Sequence, residues 1–190
     1  MKILYFDVET TGLDPTIHDI IQLSYILEVD GDIVCSDTFQ VRPANPERAD
    51  PAALAVHGIS IETMMAYRDA KACKVSWEEQ WANHIDKYDP SDKALPCAYN
   101  GAFDLGFLSE FYQRENDRYL GSWISLKDLL DPLAVLRFLR AGEMLCSPDL
   151  KLSSVARHYG IELHAHDAQS DTRALREISR ILFTWIRSAK

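Results

Sequence analysis

Cysteine is sparse. The chain has four, Cys35, Cys73, Cys97 and Cys146, and no two of them form a CxxC pair or another metal-type spacing. That scatter argues against a disulfide framework and a cysteine-held zinc, and it points to a reducing, cytoplasmic setting. Long apolar runs are missing too. No charge-free stretch approaches the roughly 20 residues needed to cross a bilayer, so no membrane association is expected. The chain enters a strand pattern at once, with acids at positions 7 and 9, so no signal peptide is expected. Positive charge is also short. Lys and Arg number 20 against 29 Asp and Glu, a formal net charge of −9. This argues against a protein held on nucleic acid by a broad basic surface. The deficit is uneven. Residues 1–136 carry 11 basic against 23 acidic side chains, whereas 137–190 carry 9 against 6. If a polyanion binds, the C-terminal third is expected to supply the guiding charge.

What remains is an ordinary globular composition, 47% hydrophobic and 26% charged over 190 residues. It predicts one domain, residues 1–190, around one sizeable core. KILYFDVET alternates in the manner of a strand. Ile3, Tyr5, Asp7 and Glu9 fall on one face, and Leu4, Phe6 and Val8 on the other. Residues 20–29 and 32–41 read as two further strands, and Asp30-Gly31 between them is a two-residue hairpin signal. The spacing predicts partial helix over 52–67 with a break at His57-Gly58. It also predicts a helix over 76–88 with Ser76 as N-cap and Glu79 completing a capping box. A short buried strand follows at 95–100, then helices over 101–115, 128–141 and 151–159, and a last helix from about Ser170 to Arg187. Strands first, then strand and helices, imply an α/β layered domain with a mixed sheet whose first three strands are antiparallel.

Four carboxylates break the apolar pattern. The last helix has a stripe through Ala174, Leu175, Ile178, Ile181, Leu182, Trp185 and Ile186, and the same spacing run backwards lands on Asp171. The helix over 101–115 has a stripe through Leu105, Leu108, Phe111 and Tyr112, and Asp104 falls on it. Asp7 and Glu9 lie side by side on one face of the first strand. Any one of these can be explained as a helix cap or the partner of a buried Arg. Four together, with no basic residue on those faces, would repel one another and pay for burial. Bound divalent cations resolve this, and hard oxygen ligands suit magnesium or manganese. Thr10-Thr11-Gly12 then turns the chain at the strand end, where Gly12 offers backbone freedom for close approach of a ligand. His166 precedes Asp171 by five residues and can overhang the acids as a general base, with His164 as its nearby competitor.

These residues resemble the DEDDh family of 3′–5′ exonucleases, which includes proofreading polymerase subunits, ribonuclease T and oligoribonuclease. The first motif matches as FDVETTGL (6–13), the second as NGAFD (100–104) and the third as HDAQSD (166–171). KLSSVARHYGI (151–161) resembles the helix before the third motif, and VHGIS (56–60) resembles the family's H-G-I segment. Asp167 stands where a sister group carries tyrosine. The resemblance implies a ribonuclease H-like α/β fold with a five-stranded mixed sheet and helices on both faces. It implies metal-dependent hydrolysis of single-stranded DNA or RNA 3′ ends to nucleoside 5′-monophosphates, with a polymerase as an implied partner. Two ions are implied, one held by Asp7, Glu9 and Asp171 and the other by Asp7 and Asp104, with His166 as base. Thr10, Thr11, Gly12 and Leu13, with Asn100 and Phe103, are the implied contacts to the terminal nucleotide.

Two other readings compete. A catalytically idle exonuclease-like binding or assembly module needs no intact five-residue set, and here all five residues are present. An aspartyl phosphatase needs a second Asp two residues after the nucleophile and a Lys near the phosphate. Here the second residue is Glu9, and no motif contains Lys. The chain stops just after the last helix, which favours a stand-alone enzyme or an isolated exonuclease domain.

Overall fold

The computed structural model describes residues 1–117, 119–145, 149–163 and 167–188. Three long strands come first: β1 (Lys2–Thr10), β2 (Ile20–Val29) and β3 (Asp32–Gln40). β2 and β3 join through Asp30-Gly31, both at positive φ (52° and 100°). This backbone matches the twist of a two-residue hairpin. Two short helices follow, α1 (Pro51–His57) and α2 (Ile61–Met65). Gly58 ends the first in the left-handed conformation, so the break expected there is present. Next come α3 (Ala70–Ala82), β4 (Leu95–Cys97), α4 (Ala102–Arg114) and α5 (Leu120–Trp123). The chain then runs through α6 (Pro132–Ala141), α7 (Leu152–His158) and α8 (Ala168–Ser188).

The sheet has the order β3-β2-β1-β4, with β1 antiparallel to β2 and parallel to β4. The three-strand antiparallel start is as expected, but the sheet has four strands among the described residues, not five. The physical reason lies at the outer edge of β4. Residues 124–130 run parallel to it through isolated bridges only, Ala94 to Ile124 and Cys97 to Leu130. Between them Asp128 N–H donates to the Ser125 carbonyl, closing a turn that interrupts the ladder. The third helix also differs from the sequence reading. It begins at Ala70, because the Asp69 carboxylate accepts the Ala72 N–H and takes the cap. Ser76 sits inside the helix and donates to the Ala72 carbonyl instead. β4 ends at Cys97, three residues short of the expected strand.

The two faces of β1 do different work. Leu4, Phe6 and Val8 pack into a cluster with Trp77, Trp81, Phe107 and Leu108 from α3 and α4. Ile3 and Tyr5 pack on the other side with Leu175 of α8. Two contacts lock α8 to the sheet. Arg176 holds the buried Glu28 of β2 at 2.7 Å. In the first turn, Thr172 Oγ1 donates to the Ser24 carbonyl at 3.5 Å, and Ser24 is the cross-strand partner of Asp7. The N-terminus of α8 is therefore pinned above the acidic end of β1.

Candidate active site

The pleat of β1 sends Asp7 and Glu9 toward α8, and the Thr172 anchor brings Asp171 to meet them. One carboxylate oxygen from each of Asp7, Glu9 and Asp171 lies within 4.8 Å of the other two. Asp104, 4% exposed at the N-terminal end of α4, completes the cluster from the opposite side. Its Oδ1 accepts the Val8 N–H at 3.1 Å, which places it one residue from Asp7. Asp104 lies outside the tight trio yet is the neighbouring charge that raises Asp7 most.

The electrostatics follow from this crowding. Burial, then Asp104, Asp171 and Glu9, hold the Asp7 carboxyl well above the ordinary carboxylate range. Burial and the charges of Asp171 and Asp167 push Glu9 up to about 7. Burial pushes Asp104 up to about 8 against the lowering pull of the Val8 hydrogen bond. No Lys or Arg among the described residues forms an ion pair with Asp7, Glu9 or Asp104. A set of oxygen donors that must lose protons to share one small space fits hard divalent cations. Asp167 was not singled out from the sequence as part of this field. Its position just ahead of α8, four residues before Asp171, was the available signal.

The other expected site residues divide. Leu13 projects into solvent at 76% exposure, just beyond the acids. Thr10 and Thr11 are buried and committed to the turn. Thr10 Oγ1 donates to the Gly12 carbonyl at 2.7 Å, and Thr11 Oγ1 accepts the Asp19 N–H at 2.9 Å. Asp19 is itself held by Arg114 from the end of α4, so the loop behind the strand is clamped from both sides. Gly12 is not at positive φ; it is glycine for a different reason. A Cβ there would lie 2.3–2.6 Å from three atoms of the His18 ring. Asn100 is exposed in the left-handed region (φ 61°), and its N–H donates to Asp131 Oδ1 at 3.1 Å. Phe103 is half-buried with its ring 4.8 Å from that of Phe107, so it is part of the core edge. His166 and its competitor His164 lie outside the described residues.

Gly12→Ala tests the reason for that glycine. The added methyl must displace the His18 ring, which accepts the Asp14 N–H at 3.1 Å. Overpacking of this kind costs about 1–3 kcal/mol. Urea unfolding should show a lowered midpoint at constant slope. An unchanged midpoint would show that the ring moves aside freely.

An α/β sheet flanked by helices carries, on its central strand and one covering helix, a carboxylate trio that could hold a metal ion. The chain belongs to the ribonuclease T-type exonuclease family, whose model, described as Exonuclease, matches residues 4–178. It is 31% identical to a PolC-type DNA polymerase III of Latilactobacillus sakei over 172 residues, 89% of this chain and 10% of that protein. It is 37% identical over 110 residues to a DNA polymerase III subunit epsilon-like protein of Rhodobacter capsulatus, 57% of this chain and 14% of that one. Among solved structures, Escherichia coli exonuclease I in complex with a dT13 oligonucleotide superposes with a TM-score of 0.79 at 21% identity. That match covers 95% of this chain and 40% of the other. The chain thus spans about a tenth of the length of the PolC-type relatives it matches. No helix among the described residues is long and apolar enough to cross a membrane.

Proposed function

We propose that the 190 residues form one exonuclease domain that removes nucleotides from the 3′ end of single-stranded nucleic acid as 5′-monophosphates. The observation that carries this is the convergence of Asp7, Glu9 and Asp171 within 4.8 Å on the face of β1 turned toward α8. Asp7, Glu9 and Asp171 would hold one Mg²⁺ or Mn²⁺, and Asp7 with Asp104 a second. Such a pair supplies Lewis-acid stabilisation of the charge that builds on the scissile phosphate and leaving oxygen.

The protein's own groups do the rest. His166 takes a proton from the attacking water. Leu13, exposed on a loop that Arg114 and Asp19 clamp, wedges against the terminal base, a sequence-tolerant contact. Thr10 and Thr11 serve by fixing the turn that presents Leu13, since their hydroxyls are already engaged. The PolC-type relatives support two further proposals, a polymerase as partner and a cytoplasmic location.

Direction is the test. A single strand labelled at its 5′ end should shorten as a ladder in Mg²⁺, and a strand with a blocked 3′ terminus should persist. EDTA should stop the shortening. Cuts in a circular single strand would instead make the protein an endonuclease, and no cutting with either metal would favour a binding module.

A further inference from the structure

The end of the sheet away from the acids carries two exposed patches of opposite character. One is a groove of about 550 Å³ beside α3. Lys2, the first residue of β1, fixes its place. The Lys2 ammonium donates to the His84 carbonyl and pairs with Asp92, and both of these residues line the groove. α3 supplies Val75, Glu78 and Glu79, and the chain after it supplies Asp86 and Tyr88, which is 85% exposed. None of Glu78, Glu79 and Asp86 forms an ion pair with a described residue. The rings of Trp123 and Tyr88 hold one cation already, the Lys87 ammonium, at 5.2 and 5.5 Å from their centroids. Acids beside aromatic rings suit a further guanidinium. The second patch is the C-terminal end of α8. Phe183 there packs with Ile3 and Tyr5, near the start of β1. Trp185 and Ile186 are exposed just beyond it, and the Tyr159 ring lies 5.8 Å from that of Trp185. Arg187 follows, and Arg157 of α7 stands two residues before Tyr159. Both arginines are exposed, and neither forms an ion pair with a described residue.

We infer that these patches meet between two copies of this chain, the α8 end of each seated on the α3 groove of the other. α3 packs against one face of the sheet and α8 against the other, and both patches lie at the same end of β1. A two-fold axis in the plane of the sheet, running across its strands, turns a copy end for end and exchanges its faces. It sets each α8 end opposite a groove, so the contact forms twice and the assembly closes as a dimer. Charge selects this occupant. The groove belongs to residues 1–136, with 11 basic against 23 acidic side chains, so its rim repels a nucleic acid strand. The helix end belongs to residues 137–190, with 9 basic against 6 acidic. The same chain thus carries a surface and its electrostatic complement. Trp185 and Ile186 give Tyr88 and Val75 an apolar surface to cover, and aromatic and Arg side chains are the ones enriched at such contacts. Asp7 and Glu9 lie at the far end of β1, so both acid clusters stay open in the dimer.

Sedimentation equilibrium reads the assembly directly. At tens of micromolar the parent should run at twice its monomer mass of 21.6 kDa. Raised salt should weaken the dimer by screening the opposed charges. Glu79→Arg and Arg187→Glu should each raise the dimer dissociation constant about 100-fold, because each sets like charges together in both contacts. The double variant carrying both changes should dimerise again, because the reversed charges once more face each other. An equimolar mixture of the two single variants should do the same, since each of its contacts then joins opposite charges. Recovery by mixing also shows that both single variants are folded. Glu62→Arg, an equal reversal on α2 outside both patches, should leave the dimer unchanged. A monomeric parent, a dimer that survives either reversal, no recovery in the double variant or the mixture, or a mass beyond two copies overturns the assignment. None of these outcomes bears on the exonuclease reading.

Discussion

Asp7→Asn should abolish the proposed metal-dependent hydrolysis and, in the presence of EDTA, should make the protein more stable. Asp7 is the residue the two proposed ion sites share, so one neutral amide disrupts both. Removing metal stabilisation worth several kcal/mol corresponds to a loss of about 10³-fold or more in turnover. The gain in stability has the same origin. Without cations, Asp7 is held far above its ordinary range by burial and by Asp104, Asp171 and Glu9, and an amide removes that repulsion. The sign of the pH dependence follows. Folded carboxyls with raised pKa keep protons that the unfolded chain releases near pH 4. The stability of chelated protein is therefore fullest below about pH 4. It falls as pH rises through the values near 7 for Glu9 and near 8 for Asp104. Added Mg²⁺ binds the deprotonated forms, so the increment it gives to Tm grows across the same window. Thermal unfolding at pH 5 to 8, with and without Mg²⁺, checks this for parent and variant. Turnover by Asp7→Asn near the parental rate would remove the carboxylates from the mechanism. A chelated parent that gains stability between pH 5 and 8 would mean that the acids do not share a buried space.

The acids were legible because periodicity assigns faces. A period of two put Asp7 and Glu9 on the side of Ile3 and Tyr5. A period of 3.6 put Asp171 at the head of the stripe through Leu175 and Ile178, and those residues meet across the sheet. Local signals failed where two polar residues competed for one role. Asp69 and Ser76 both suit a helix cap, and only the folded chain shows Asp69 accepting the Ala72 N–H. The buried Cys73, Trp77 and Trp81 carried the longer helix in their fourfold spacing. The fifth strand failed because the turn closed between Ser125 and Asp128 is a local choice that outweighs the family pattern. Long-range partners had no signal at all. Nothing in the sequence ties Arg176 to Glu28, 148 positions apart, or Arg114 to Asp19, 95 apart. Gly12 shows the same limit: its type was noted, but its cause is a ring six residues on that folds back over it.

His166→Ala should lower turnover by about 10²–10⁴-fold, the usual worth of a general base, while metal and single strand still bind. A base must be unprotonated to act. The parental rate should therefore rise with pH as His166 loses its proton, from an ordinary pKa of about 6.5. The slope of the profile, not its midpoint, is the diagnostic. In His166→Ala the rising limb should flatten, because bulk water, which does not titrate in this range, then accepts the proton. His164→Ala, two residues earlier, keeps the base and should keep the limb. Single-turnover hydrolysis across pH 5–9, with metal binding followed by calorimetry, reads all of these at once. If His164→Ala is the crippled variant, the register of the third motif is off by two, and the base is the earlier histidine. If His166→Ala loses metal affinity in proportion to rate, the imidazole is a ligand. The proton must then leave by another group.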